Sequence, residues 1–520
     1  MFIKKIHIGQ YKKLNNFDIE FKKITNKIKG ERFNISVLIG ENGTAKSTIL
    51  QAIANVFSDS KEKDKMLNYE IEYEMNTQTH KLNDDNEITK VPSNLVISSF
   101  SPVEKIFIMA KKSVSSLCPI IFSEMGNSKL KEIIGKYILE NTNNTNNINR
   151  IIENTTNINK INRIIDYIGY NPAQYFLESN DWIFTSLNSD NFIKSLYNGH
   201  FDRIIEKEII IQEPEIDVTS LITSYQNELN NHRYRFRNTI IDYMGRFDAY
   251  WSNNHGYSKK SILDYSILRR IYLEYIYILL KMRTFFRNYS KKKYTNYKYN
   301  ETQLISNSDL DMYFHGLDEF IKDLSFLDAF EKYIFNDIWF EAKGTPDLVP
   351  LSLWSSGEFS LFLRLIEISN SVIENSIVLI DEPETHLHPK WIRNYIKLLK
   401  DIIGDIHCHV IIATHAPLII SDIPKESIIM LKRNEHLIEQ SYIQEETIGL
   451  EYEEVLKRIF EFNDIKGTVL ESYENKILES IEKDDVATII NLYDQLGDSP
   501  TKFDLFLKIK RYNDQRKSSE

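Results

Sequence analysis

The sequence predicts an α/β fold: a mixed sheet with flanking helices, split by a large, mostly α-helical insertion and followed by a helical C-terminal extension. Three observations carry that expectation. A strand over 35–39 runs into the glycine-bearing loop Gly40-Glu-Asn-Gly-Thr-Ala-Lys-Ser47 and then into a helix, and residues 345–435 alternate helix and strand as parallel crossovers do. The apolar run Ile377 to Ile380 ends in two adjacent carboxylates, Asp381 and Glu382. Core packing does not ask for paired acids at the end of a buried strand, so chemistry is the better explanation.

Taken in order, Phe2 to Ile8, Phe17 to Phe21, Phe33 to Ile39 and Glu70 to Glu74 have strand composition or alternation. The helix opened by the loop carries Ile49, Leu50, Ile53 and Val56 on one face, and Asn94 to Phe100 is a further short apolar strand. Residues 1–104 therefore form a first lobe. From 105 to 340 the chain turns helical, aromatic and charged, with few glycines or prolines to punctuate it. In this insertion Asn141 to Asn159 is asparagine-rich, and Ile148-Asn-Arg-Ile-Ile returns at Ile161, which reads as low-complexity drift rather than a solenoid repeat. A second lobe over 341–445 holds a helix at Phe359 to Ile368, the strand Ile377 to Ile380, a helix at Trp391 to Ile403 and a strand at His409 to Thr414. The extension over 446–520 has apolar spacing at Val455, Ile459, Phe460 and Ile465, and its last ten residues are polar enough to fray.

The 520 residues exceed one compact core, and 42% hydrophobic with 27% charged residues is the balance of a soluble protein. No apolar run reaches the roughly 18 residues that span a bilayer, and the N-terminus lacks the apolar core of a signal peptide, so the expectation is a cytoplasmic protein with no membrane partner. Cys118 and Cys408 are far apart and fit neither a disulfide framework nor a zinc site. A net charge of −10 argues against a uniformly basic nucleic-acid coat. A local one has a candidate in Arg269 to Lys298, where basic residues interleave with tyrosines and phenylalanines; a solvated helix face is the simpler reading of the same pattern.

In the loop, Gly40 and Gly43 let successive amides turn toward phosphate oxygens, with the helix N-terminus behind them. Lys46 would reach the β- and γ-phosphates, and Ser47 would offer its hydroxyl to Mg²⁺. Ala45 stands where this motif has its last glycine, so its Cβ is expected to strain a glycine-preferring torsion. Asp381 is placed to anchor Mg²⁺ and Glu382 to orient the attacking water. In Trp354-Ser-Ser-Gly-Glu358, Ser355 caps the next helix with Glu358 closing a capping box, and the same N-terminus is a second anion site. His415, after the next strand, would stand beside Asp381 and Glu382 if those strands neighbour each other, and as a neutral imidazole could touch the γ-phosphate. Glu384, His386 and His388 lack the helical spacing of a zinc site.

As a set, Gly40 to Ser47, Trp354 to Glu358, Ile380-Asp-Glu-Pro-Glu384 with Leu387-His-Pro389, and Thr414-His415 resemble the P-loop ATPase heads of the ABC type. The likeness is to the branch of recombination and repair heads such as RecF and the SMC proteins, and to the OLD-like ATPases of bacterial defence. It spans about residues 1–104 and 340–435. The resemblance implies two heads that sandwich ATP, each lending its Ser-Gly turn to the other's phosphate loop. On that pattern Gly40, Asn42, Gly43, Ala45, Lys46, Ser47 and Thr48 bind ATP, with Ser47 and Asp381 on Mg²⁺. Ser355, Ser356, Gly357 and Glu358 then act in trans, Glu382 is the catalytic base and His415 the switch histidine. The glutamine that such heads carry is not evident, and Ser99 or Ser101 stands near its place. No heptad arm or Cys-x-x-Cys hook appears in the insertion, and no acidic cluster of a TOPRIM nuclease follows it. The tail from Glu446 to Gly467 is similar to the ATPase subunit of Septu-type antiviral defence systems, which implies an HNH nuclease as partner. DNA tethering or repair, and an ATP-binding scaffold with little turnover, are the alternatives.

Overall fold

The computed structural model describes residues 1–23, 32–57, 68–83, 91–99, 131, 134–136, 138–139, 160–180, 218–231, 239–254, 259–294, 301–329, 332–434, 437–462 and 467–519. Cys118, Ser101, residues 141–159 with the first copy of the short duplicate, and Lys298 lie outside them. The chain divides into two units, one of residues 1–419 and 426–442, the other of residues 420–425 and 443–520.

At the centre of the first unit is a six-stranded sheet. Its strands are β3 (Asn34–Gly40), β6 (Leu95–Ser99), β12 (Ile377–Asp381), β13 (His409–Ala413), β14 (Ile428–Asn434) and β15 (Leu437–Ser441), in the order β15-β14-β3-β13-β12-β6. All neighbours but β14 and β15 pair in parallel, so the C-terminal ends of β3, β6, β12 and β13 share one edge. Open parallel sheets bind their ligands at that edge. Strands β12 and β13 are buried along their whole length, which is why they read as continuous apolar runs rather than alternating ones.

A second, antiparallel sheet joins β1 (Phe2–Tyr11), β2 (Leu14–Glu20), β4 (Asn68–Met75) and β5 (Gln78–Asn83) in the order β2-β1-β4-β5. Helix α1 (Lys46–Phe57) shares one apolar core with both sheets: Ile49, Leu50 and Ile53 pack with Ile6 and Ile71 from one sheet and Leu38, Leu379 and Ile411 from the other. At about 1.5–3 kcal/mol per fully buried large apolar side chain, this core fixes the base of the phosphate loop. His409 ties the sheets as well. Its Nδ1 accepts the backbone N–H of Ile3 at 3.1 Å, which leaves the Nε2 proton for Ser36 Oγ at 3.0 Å.

Between β6 and β12 the described residues include helices α2 (Val218–Asn231), α3 (Thr239–Asn254), α4 (Lys259–Tyr289) and α5 (Leu317–Ala329), and also a sheet that composition did not announce. Strands β7 (Tyr170–Ser179), β8 (Lys291–Tyr294), β9 (Glu301–Ser306), β10 (Phe335–Ala342) and β11 (Leu348–Pro350) pair antiparallel in the order β11-β10-β7-β9-β8. Pro172 within β7 and the long sequence separation of β7 from β10 hid it.

In its helical part the basic-aromatic segment is largely interior rather than a solvated face. Tyr272, Tyr275, Tyr277, Phe285 and Phe286 of α4 are core residues. Lys281, 1% exposed, is held by Asp323 at 2.7 Å and Glu319 at 3.0 Å, and Arg269 bonds Asp248 at 3.0 Å. Removing a charge from such a buried pair leaves its partner uncompensated, so these contacts argue for fold maintenance.

Two further helices of the first unit are α6 (Ser356–Ser371) and α7 (Pro389–Ile403). In the second unit α8 (Thr468–Glu482), α9 (Val486–Asp494) and α10 (Pro500–Ser519) pack around Ile477, Ile489 and Leu505. The polar end expected to fray is helical to Ser519, and Val455 to Ile459 forms one π-helical turn.

Candidate active site

The loop from Gly40 to Lys46 closes over the end of β3. A Cβ on Gly40 would collide with the carbonyl oxygen of Leu431 on β14, so close strand packing demands glycine there. Gly43 has φ 86° and open space where a Cβ would stand, leaving its backbone accessible. Ala45 has φ 64°, the left-handed region that a Cβ disfavours by about 1 kcal/mol. The sequence expectation of strain at this residue thus has a torsion to match it. Asn42 is exposed on the loop, and Thr48 is half-buried in the first turn of α1.

Lys46 Nζ donates to the carbonyl oxygens of Gly40 at 2.8 Å and Glu41 at 3.1 Å and lies 3.5 Å from His415 Nδ1. Burial lowers its pKa to about 8, against the opposing pull of Glu382, Asp381 and Glu384. Such a lysine gains from a phosphate's charge more than a solvated one does.

Ser47 Oγ donates to Asp381 Oδ1 at 3.0 Å, bringing together residues 334 positions apart. Asp381 is 4% exposed, and burial raises its pKa to about 6 even though the Ser47 hydrogen bond and Lys46 pull it down. A serine hydroxyl beside a dehydrated carboxylate is a hard-oxygen pair that suits Mg²⁺ carrying phosphate and water as its other ligands. The residues therefore fit a Mg²⁺-nucleotide.

Glu382 follows with φ 46°, its amide still bonded to Ala413 O at 2.8 Å, and its Oε1 is 3.8 Å from His415 Nε2. A left-handed glutamate at a strand end is strain of the kind that gathers at reactive sites. Because β12 and β13 are direct neighbours, His415 does stand beside the two acids. Burial and the Lys46 charge hold its pKa below the usual imidazole range, with Glu382 opposing, so it is neutral at pH 7.

Ser355, Ser356, Gly357 and Glu358 open α6. The capping box is present in both halves: Ser355 Oγ accepts the Glu358 N–H at 3.2 Å, and Glu358 Oε2 accepts the Ser355 N–H at 2.7 Å. A Cβ on Gly357 would come within 2.6 Å of the His386 carbonyl oxygen, so glycine is needed where the turn meets the segment after β12. Tyr170 of β7 stacks on Trp354 at 4.5 Å and donates to Glu358 Oε1 at 3.3 Å.

Two residues at this edge had no catalytic or positioning role in the sequence reading. Arg364 of α6 is buried and donates to the carbonyl of Ser99. Ser99 itself ends β6 opposite Asp381, the strand end where a glutamine was sought. Glu384, weighed only as a metal ligand, accepts the backbone N–H of His415 at 2.6 Å. An arginine set among the apolar residues Leu361 to Ile366 was the legible signal for Arg364. His388 caps α7, its Nδ1 accepting the Lys390 N–H at 3.2 Å, and among the described residues no group of three or more His, Cys, Asp or Glu is arranged to hold a metal.

Comparison with known proteins adds the following. The chain is 33% identical over 95 residues to the protein ea59 of Escherichia phage lambda, and spans 18% of that relative's length. Among solved structures it is similar to the SMC head domain from Thermotoga maritima, at 12% identity and TM-score 0.29 with 86% of this chain and 100% of that one covered. It is also similar to the Smc head domain with an extended coiled coil from Pyrococcus furiosus, at 14% identity and TM-score 0.27 with 89% and 100% covered. No helix among the described residues is long and apolar enough to cross a membrane. A family model described as an AAA ATPase domain matches residues 1–420, most of the chain, and the protein therefore belongs to that ATPase family.

Proposed function

We propose that the protein is an ATP-hydrolysing head of the ABC type whose active site is completed by a second copy of the chain, and that this cycle controls a partner nuclease. The observation that carries the hydrolytic part is the 3.0 Å bond between Ser47 and Asp381, at the edge where Lys46 also lies 3.5 Å from His415. Mg²⁺, when bound there, would neutralise charge on the phosphates. Gly40, Asn42, Gly43, Ala45 and Thr48 line the loop around the phosphates, Lys46 pairs with them, and Ser47 and Asp381 take the metal side. Glu382 is the base that orients water, and neutral His415 donates or accepts at the γ-phosphate.

The two-copy part rests on the turn Ser355 to Glu358. Its capping box takes up the Ser355 and Glu358 N–H groups, so the first-turn amides of Ser356 and Gly357 are the donors that would meet a phosphate held by a second copy. Glu382→Gln tests both parts. With Mg²⁺-ATP it is expected to lose at least about a hundredfold in turnover, and to shift from monomer to dimer by light scattering. A variant that turns ATP over as the parent does, with no change in mass, would remove Glu382 from the reading.

Control of an HNH-type nuclease in antiviral defence is supported by the likeness of the tail from Glu446 to Gly467 to Septu-type subunits. Co-purification with a nuclease encoded beside it is the check. A second reading, a scaffold that binds ATP with little turnover, draws on the left-handed Ala45. A DNA-tethering role loses ground because the aromatics of α4 lie in the core.

A further inference from the structure

The end of β12 and the segment after it carry three carboxylates, Asp381, Glu382 and Glu384, and the proposed chemistry uses two. Glu384 lies beyond Pro383, and its Oε1 accepts the backbone N–H of His415 at 2.6 Å, across 31 residues of sequence. The turn bearing His415 is held at further points. The Thr414 N–H donates to Leu38 O on the phosphate-loop strand at 3.1 Å, and Thr414 Oγ1 accepts the Ala416 N–H at 2.9 Å. Thr414 is fully buried. The His415 ring then stands with Nδ1 3.5 Å from Lys46 Nζ and Nε2 3.8 Å from Glu382 Oε1.

Neither of those ring distances is a tight hydrogen bond, so the ring is aimed by its backbone more than by its side-chain neighbours. At His415 itself the backbone is held by Glu384, between the two bonds of Thr414. With Pro383 between them restricting the chain, Glu382 faces the histidine ring at 3.8 Å while Glu384 holds its amide at 2.6 Å. We propose that Glu384 is a positioning residue for the switch histidine, acting as a hydrogen-bond acceptor of a fixed reach rather than as a charge. It keeps His415 in register with the water-orienting glutamate. This inference rests on the ATPase reading above.

What matters on this account is an sp² oxygen at glutamate's length. Gln at 384 supplies it without charge; Asp supplies the charge one methylene short; Ala supplies neither. The experiment is steady-state ATP turnover with Mg²⁺ for Glu384→Gln, Glu384→Asp, Glu384→Ala, His415→Ala and the double variant Glu384→Ala/His415→Ala. Expected are a loss of kcat of about tenfold or more in Glu384→Ala with KM for ATP within about twofold, most of that loss recovered by Glu384→Gln, and little recovered by Glu384→Asp. In the His415→Ala background, removing Glu384 should cost no more than about twofold, because the residue acts through the histidine. If Glu384→Ala does not fold, the order of the Gln and Asp variants still decides. Asp above Gln overturns the acceptor role, as does a full, additive loss in the double variant. A parent chain with no turnover at all defeats the ATPase reading together with this one, whereas additivity in an active enzyme defeats this one alone.

Discussion

Ala45 and Asp381 are where single residues work against the fold. At φ 64° the Cβ of Ala45 costs about 1 kcal/mol, which glycine would release while adding disorder to the unfolded chain. Ala45→Gly is thus expected to leave Tm within a few degrees and to keep or raise ATP turnover; a clear fall in turnover would show that the Cβ shapes the loop usefully. Asp381 has a native pKa of about 6 against 3.8 for the free carboxyl, chiefly from burial. The native state therefore holds a proton that the unfolded chain has released between those values. Stability from this group is fully present below pH 3.8, is lost as pH rises through about 6, and above that the buried charge is a burden of up to about 3 kcal/mol. Asp381→Asn should consequently raise Tm at pH 8 without Mg²⁺, while abolishing Mg²⁺-dependent turnover. Thermal unfolding without Mg²⁺ from pH 5 to 8 should show the parent losing stability relative to Asp381→Asn as pH rises through about 6; parallel profiles would contradict that assignment.

At the scale of elements, the turn before α6 ties the insertion to the active-site edge. Tyr170 belongs to β7, in the insertion sheet, yet it stacks on Trp354 and bonds the capping glutamate. Gly357 meets the carbonyl of His386. Ser355→Ala should cost about 1 kcal/mol of stability through the lost cap, whereas Gly357→Ala pushes backbone against backbone and should impair ATP-dependent association more than stability. Chemical denaturation and light scattering separate the two; equal effects of both variants on association would argue that the turn is only a cap.

The elements that sequence made legible are those whose local pattern and tertiary role agree. The phosphate loop, the buried strand ending in Asp381, the capping box and the helix before His409 each carry their own signal. The insertion sheet does not, because β7 and β10 acquire strand character only by pairing across more than a hundred and fifty residues. Glu384 was obscured for a related reason: its partner is a backbone amide, and amides leave no trace in side-chain spacing. The aromatics of α4 misled in the opposite direction, since basic-aromatic alternation is shared by a nucleic-acid face and a buried helix with paired charges.

For the whole molecule, the central claim is that one chain supplies the phosphate loop and acids while another supplies the turn from Ser355 to Glu358. Mixing Lys46→Ala chains with Gly357→Ala chains tests it. Each is inactive alone on this account, but a mixed dimer has one intact composite site and one doubly damaged one. At equal concentrations, high enough to overcome the weakened association of Gly357→Ala chains, ATP turnover should recover to about a quarter of the parent level, since half the dimers are then mixed and each has one working site of two. Mixtures that stay as inactive as their components at every ratio, despite dimer formation, would contradict a shared active site.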